Sequence, residues 1–195
     1  MCGSWSVYGN WHHNLRYTFS MDQAARQKLT ELIEEAGGKN WWVPEAFSEH
    51  ILPRLPAELT IIRLPPAHTE NYNCFVFAFG LEQDPYFLGG DNPIQQEFVK
   101  YLISKGVFNV TESPEPEDLV FYRDDDDNLT HGGVLKSKDI VLSKWMWGPT
   151  FENKLWDVPA SFGDDVFYVK PVAAEHIKLE YELYKNSGVK IKPIS

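Results

Sequence analysis

Cysteine is scarce in this chain: two residues, Cys2 and Cys74, among 195. That excludes a disulfide framework. Long apolar runs are missing as well; none approaches the roughly 18 residues of a membrane span. Basic residues are in deficit, 18 Lys and Arg against 28 Asp and Glu, for a net charge of −10. A general nucleic-acid binder draws its affinity from neutralised phosphates, so this balance argues against one. An anionic membrane surface would also repel the chain. The start, Met1-Cys2-Gly3-Ser4-Trp5, has neither a basic nor an apolar segment, so no signal peptide is expected. What is present is enough apolar material for a core, 43% of the residues, in about one domain's length at roughly 100–200 residues. These features predict an acidic, cytoplasmic, globular chain.

Several elements are legible. Met21, Ala25, Leu29, Leu32, Ile33 and Ala36 make one apolar helical face, with Ser20 as the expected N-cap and Gly37-Gly38 as the stop. Five prolines punctuate 39–70, leaving a short helix over Glu45–Leu52 and an extended stretch over Leu59–Leu64. A second amphipathic helix is expected from Asp91 or Asn92 as cap, with Pro93 at its first position and Ile94, Phe98, Tyr101 and Leu102 inward. Strands are expected over Asp118–Tyr122, His131–Lys136, Ile140–Trp145 and Val166–Val169, and a last helix over 173–186. The run from Asn73 to Leu81 is apolar on all sides. Periodicity alone fits a buried strand and a buried helix equally.

Cys74 sits in that run, directly after polar Glu70-Asn71-Tyr72-Asn73. On a helix it would occupy the first turn, where unpaired N–H groups favour thiolate. A nucleophilic thiol also needs a base, and His131 opens a strand whose Gly132-Gly133 leaves room for a neighbour. The competing reading is a buried, inert cysteine.

Three segments, over about residues 70–171, carry a resemblance. Tyr72-Asn73-Cys74-Phe75-Val76-Phe77-Ala78 looks like the nucleophile helix of papain-like thiol peptidases and amidases of the NlpC type. Glu117-Asp118-Leu119-Val120-Phe121-Tyr122 resembles their first core strand, with Glu117 where Gly is usual. His131-Gly132-Gly133-Val134-Leu135 resembles the strand that carries their base. Asn-Cys with Thr130-His131 and Ser143-Lys144 followed by Gly148 is similar to a little-characterised bacterial branch, with Trp145-Met146-Trp147 lengthening the last motif. The resemblance implies an α+β, papain-like fold, in which a nucleophile helix packs on a central antiparallel sheet. It divides the chain into an N-terminal helical extension (1–58), a papain-like core (59–172), and a C-terminal helix with a basic tail (173–195). It implies Cys74 as nucleophile, His131 as base and a third group on the next strand to orient the base.

Hairpin arithmetic bears on that third group. With a three-residue loop, 137–139, residue 133 faces 143, and Ser143 lies diagonal to His131 on one sheet face. A one-residue slip would replace Ser143 by Lys144. The shorter loop is expected, which sends Lys144 to the opposite face and on to solvent or to Glu152. Glu152 and Asn153 are further candidates for the orienting group. Weaker features are Cys2, which would be N-terminal after loss of Met1, the adjacent His12-His13, and His68 as a rival base. Asp124, Asp126 and Asn128 begin like a calcium loop, but Leu129 and Leu135 stand where glycine and glutamate are required.

Two functions follow as expectations. One is a cysteine hydrolase or acyl transferase acting on an amide or peptide-like bond through Cys74, His131 and Ser143, with no cofactor or metal required. The other is a papain-like binding or immunity module without catalysis. The partners are a peptide or amide substrate, or a protein, and neither nucleic acid nor membrane.

Overall fold

The computed structural model describes residues 21–90 and 92–187. Its centre is a seven-stranded antiparallel sheet in the order β1-β6-β5-β4-β3-β7-β2. The strands are β1 (Thr60–Arg63), β2 (Val110–Thr111), β3 (Leu119–Arg123), β4 (Leu129–Leu135), β5 (Ile140–Lys144), β6 (Thr150–Lys154) and β7 (Asp165–Val169). The helices are α1 (Gln23–Gly38), α2 (Pro44–Ala46), α3 (Cys74–Ala78), α4 (Gln96–Ser104) and α5 (Ala174–Asn186).

Both sheet faces are covered, so the central strands are apolar on both sides. Successive residues of a strand point to opposite faces. Leu119 and Phe121 of β3 therefore enter a core shared with α3, α4 and α5. Val120 and Tyr122 enter a second core shared with α1, Phe47, Ile51 and Phe162.

Asp22 caps α1, its carboxylate accepting from the Ala25 N–H at 2.8 Å; Ser20 lies outside the described residues. The expected stripe is buried at Leu29, Leu32, Ile33 and Ala36, each large aliphatic worth roughly 1.5–3 kcal/mol. Arg26 is buried on the same side. It donates from Nε to the Val158 carbonyl at 3.0 Å and pairs with Asp164, which ties α1 to the end of the sheet.

Three expectations shift. Helix α4 starts at Gln96, after Gln95, rather than at Pro93. The backbone before it is held in another way, because the Ile94 carbonyl accepts from Asn73 Nδ2 at 2.7 Å. The short helix becomes three successive turns of different pitch, from Pro44 to Arg54. Strands β2 and β6 were not expected at all. Strand β6 reads Thr-Phe-Glu-Asn-Lys, too polar to signal a strand, yet it pairs with both β1 and β5.

Candidate active site

The run around Cys74 forms a helix, not a strand. Asn73 decides it by capping: its Oδ1 accepts from the Val76 N–H at 3.1 Å. Gly80, at φ 67°, ends the turn in a conformation that favours glycine. The five-residue helix is buried at Cys74, Phe75, Val76 and Ala78. It packs on β4 through Gly132, where an added Cβ would stand 3.2 Å from the Phe75 ring and 3.1 Å from the Phe121 ring. The room left by Gly132 is thus filled by aromatic packing.

That contact fixes which way His131 points. Gly132 meets α3, so its neighbour His131 faces the other side of the sheet. There His131 stacks on Phe162 with ring centroids 4.0 Å apart and lies 5.4 Å from the Tyr122 ring. It is fully buried, and neither ring nitrogen has a hydrogen-bond partner among the described residues. Burial alone pushes its pKa down to about 3, so it is neutral. The expected Cys74–His131 pair is therefore not assembled, and the sheet stands between the two.

The hairpin register is the expected one: Gly133 pairs with Ser143, Val134 with Leu142 and Leu135 with Val141. Ser143 accordingly shares the His131 face. Its hydroxyl is buried and has no partner among the described residues. The three proposed triad members divide between the two faces, with Cys74 alone on one and His131 and Ser143 on the other.

Lys144 occupies the Cys74 face. It does not run to solvent or to Glu152, as expected, but is 1% exposed. Its ammonium lies 4.7 Å from the Tyr72 ring centroid and donates to the Gly148 carbonyl. That carbonyl comes from the turn 145–148, in which the Gly148 N–H donates to the Trp145 carbonyl at 2.7 Å and Met146 has φ 52°. Asn71 clamps the same turn, its Nδ2 donating to the Trp147 carbonyl at 2.7 Å. The lengthened Trp145-Met146-Trp147 segment thus supplies the carbonyls that hold Lys144 and Asn71 beside the start of α3.

Cys74 and Lys144 act on each other electrically. Burial pushes the thiol up to about 11, opposed by the backbone amides of Gly132, Cys74 and Phe75 and by the Lys144 charge. Burial pushes Lys144 down to about 7, opposed by Cys74 and reinforced by the like charge of Arg63. Near neutral pH the pair is a thiol beside an amine that is about half protonated.

A cleft of about 320 Å³ runs along the same face. Val134 and Leu142 floor it, and Phe77, Ala78 and Gly80 wall one side. Thr150, the register partner of Lys144, and Arg63 line it as well. Arg63 Nη1 donates to Tyr72 Oη at 3.5 Å.

The remaining candidates are dispersed. His68 lies in an exposed turn, His68–Glu70. Glu152 pairs with Leu142 across the sheet; Asn153 pairs with Val141 and spends its Nδ2 on the Lys154 carbonyl at 2.8 Å. Asp124 accepts from the Asp126 and Asn128 N–H groups, so the acidic loop is a turn closed on itself. Cys2, His12 and His13 lie outside the described residues. Among the described residues no group of three or more His, Cys, Asp and Glu could hold a metal, and no helix is long and apolar enough to cross a membrane. Sequence reasoning missed Tyr72 and Arg63, and it sent Lys144 to solvent or to Glu152. Once α3 is seen to pack on Gly132, strand parity excludes His131 and admits Lys144.

The fold is mixed α+β with an antiparallel sheet. No family model matches the chain, and neither a curated protein nor a solved structure matches it.

Proposed function

We propose that this chain is a thiol enzyme of the hydrolase or acyl-transferase type, with Cys74 as nucleophile and Lys144 as its base. The resemblance to papain-like enzymes of the NlpC type supports the nucleophile; the base differs from the one that resemblance implies. The observation that carries the reading is that Cys74, at the start of α3, and Lys144 are both buried on one face of the sheet and act on each other electrostatically, with three backbone amides acting on the sulfur. A base with a pKa near the operating pH is suited to proton transfer. In the reaction, neutral Lys144 takes the thiol proton as the sulfur bonds to the acyl carbon. The resulting ammonium returns that proton to the leaving amine as the C–N bond breaks. Water or an amine then attacks the thioester as Lys144 takes its proton; the C–S bond breaks, and the ammonium returns that proton to the Cys74 sulfur.

A second reading has its own support: Cys74 is only 6% exposed and its thiol is held high, which suits a binding module without catalysis. One experiment separates them. Incubated with an activated ester such as p-nitrophenyl acetate, the protein should acquire one acetyl group on Cys74 by mass spectrometry. Lys144→Met should abolish it and His131→Leu should leave it unchanged. No acylation of Cys74 at any pH up to about 9, where a pKa near 7 leaves the base neutral, leaves the binding module standing.

A further inference from the structure

We infer that the cleft beside α3 binds a free α-amino acid with an apolar side chain, its head group held by Arg63 and Glu82. The cleft carries four charged side chains, which fall into two sets. At one end Lys136 and Glu117 satisfy each other at 3.3 Å. At the other, Arg63 and Glu82 form no ion pair among the described residues. Arg63 reaches only the Tyr72 hydroxyl at 3.5 Å. The Oε2 of Glu82 is shut from solvent with no donor among the described residues. A buried carboxylate oxygen without a donor is costly, whereas Arg63 is exposed and its guanidinium is open to water or a ligand.

Arg63 and Glu82 line the same cleft with opposite signs; Arg63 reaches the Tyr72 hydroxyl, and the charge of each acts on that tyrosine. A carboxylate ligand would answer Arg63 alone, and an amine would answer Glu82 alone. An α-amino acid answers both, because its ammonium and carboxylate share one carbon. Arginine recognises a carboxylate with paired donors. From that end the floor is apolar: Leu142, then Val134, with Ile62 and Phe77 beside them. A volume of about 320 Å³ lies at the small end of ligand sites and suits one aliphatic residue. Tyr72 also lies under the Lys144 ammonium, so the head group sits next to the Cys74–Lys144 pair. Only the ligand's role rests on the proposed thiol reading, as the amine that accepts an acyl group or is released from one. Binding itself rests on the cleft.

The test is calorimetric titration of the full chain carrying Cys74→Ser, which binds without reacting. Leucine should bind saturably. N-acetylleucine lacks the ammonium, leucinamide lacks the carboxylate and glycine lacks the side chain; each should bind at least about tenfold more weakly, because a group in the cleft is then left unpaired. Arg63→Met and Glu82→Gln should each weaken leucine by about tenfold or more while the thermal midpoint holds. No saturable heat with leucine up to about 10 mM, a weak-binding limit, overturns the inference. So does equal binding of leucine and N-acetylleucine. If leucine binds while Cys74 in the native chain never acylates, only the thiol reading falls.

Discussion

At the scale of single residues, His131 and Lys144 exchange the roles their types suggest. The histidine is sealed between Tyr122 and Phe162, where its nitrogens have no partner among the described residues. The lysine is drawn inward by the Gly148 carbonyl and the Tyr72 ring. A buried polar group without a partner costs stability, so an apolar residue of similar size removes that cost. His131→Leu is therefore expected to leave the protein as stable at neutral pH or more stable, by up to about 2 kcal/mol. The unfolding midpoint in urea measures this. A loss of more than about 2 kcal/mol, the cost of a broken hydrogen bond, would mean that the ring holds a partner in solution.

At the scale of elements, the hairpin β4–β5 was the most legible part. Its short loop 137–139 and the apolar residues on either side favoured pairing of Gly133 with Ser143 over a one-residue slip, and that pairing is observed. Which face of that hairpin receives α3 was not legible, because it depends on the bulk that Gly132 omits on one side and Phe162 supplies on the other. Phe162 is far away in the chain, and no local pattern announces it. The start of α4 was misread for a similar reason: Pro93 signals a helix, but Asn73 holds the backbone at Ile94. Strand β6 was hidden by its polarity, with Asn153 buried at a position where an apolar residue would be expected. Helix α1 was legible because its stripe is continuous. At Gly133 an added Cβ would meet Val141 Cγ1 at 2.7 Å, Ser143 Cβ at 2.8 Å and the Leu142 carbonyl at 2.9 Å. Backbone cannot yield there, so Gly133→Ala should destabilise by about 2–3 kcal/mol. Gly38→Ala, with nothing within 4 Å of the new methyl, should change little. Equal midpoints for the two variants would refute the register.

At the scale of the whole molecule, three buried groups in and behind the site contribute to how stability depends on pH between 3 and 11. The folded state holds His131 at about 3 against 6.5 unfolded. Between those values the unfolded chain binds more protons, so stability falls as pH falls through them. Lys144 is held at about 7 against 10.5, so stability rises with pH across that window. Cys74 is held at about 11 against 9.0; there the folded state binds more protons, and stability falls as pH rises from 9 to 11. Between pH 9 and 10.5 the Lys144 and Cys74 slopes nearly cancel, so these three groups place their joint maximum near pH 10, with a rise of roughly 2–3 kcal/mol between pH 7 and 9 due to Lys144. Urea unfolding across pH should show that rise, and Lys144→Met should flatten it. A flat native profile over this range would mean that Lys144 is hydrated and its ammonium not buried.

The most direct test of the Cys74–Lys144 pair is the pH dependence of Cys74 alkylation by iodoacetamide, followed by peptide mass spectrometry. When two groups are coupled, the first proton lost belongs to the pair. That loss occurs near Lys144's value of about 7, and it creates the one-proton state whose minor form is thiolate beside ammonium. Reactivity should therefore rise to an inflection near pH 7 in the native chain and in His131→Leu. In Lys144→Met, which removes a charge that lowers the thiol, reactivity should climb without inflection through pH 9 and beyond. An inflection that survives in Lys144→Met and vanishes in His131→Leu would contradict the pairing and return the base to His131.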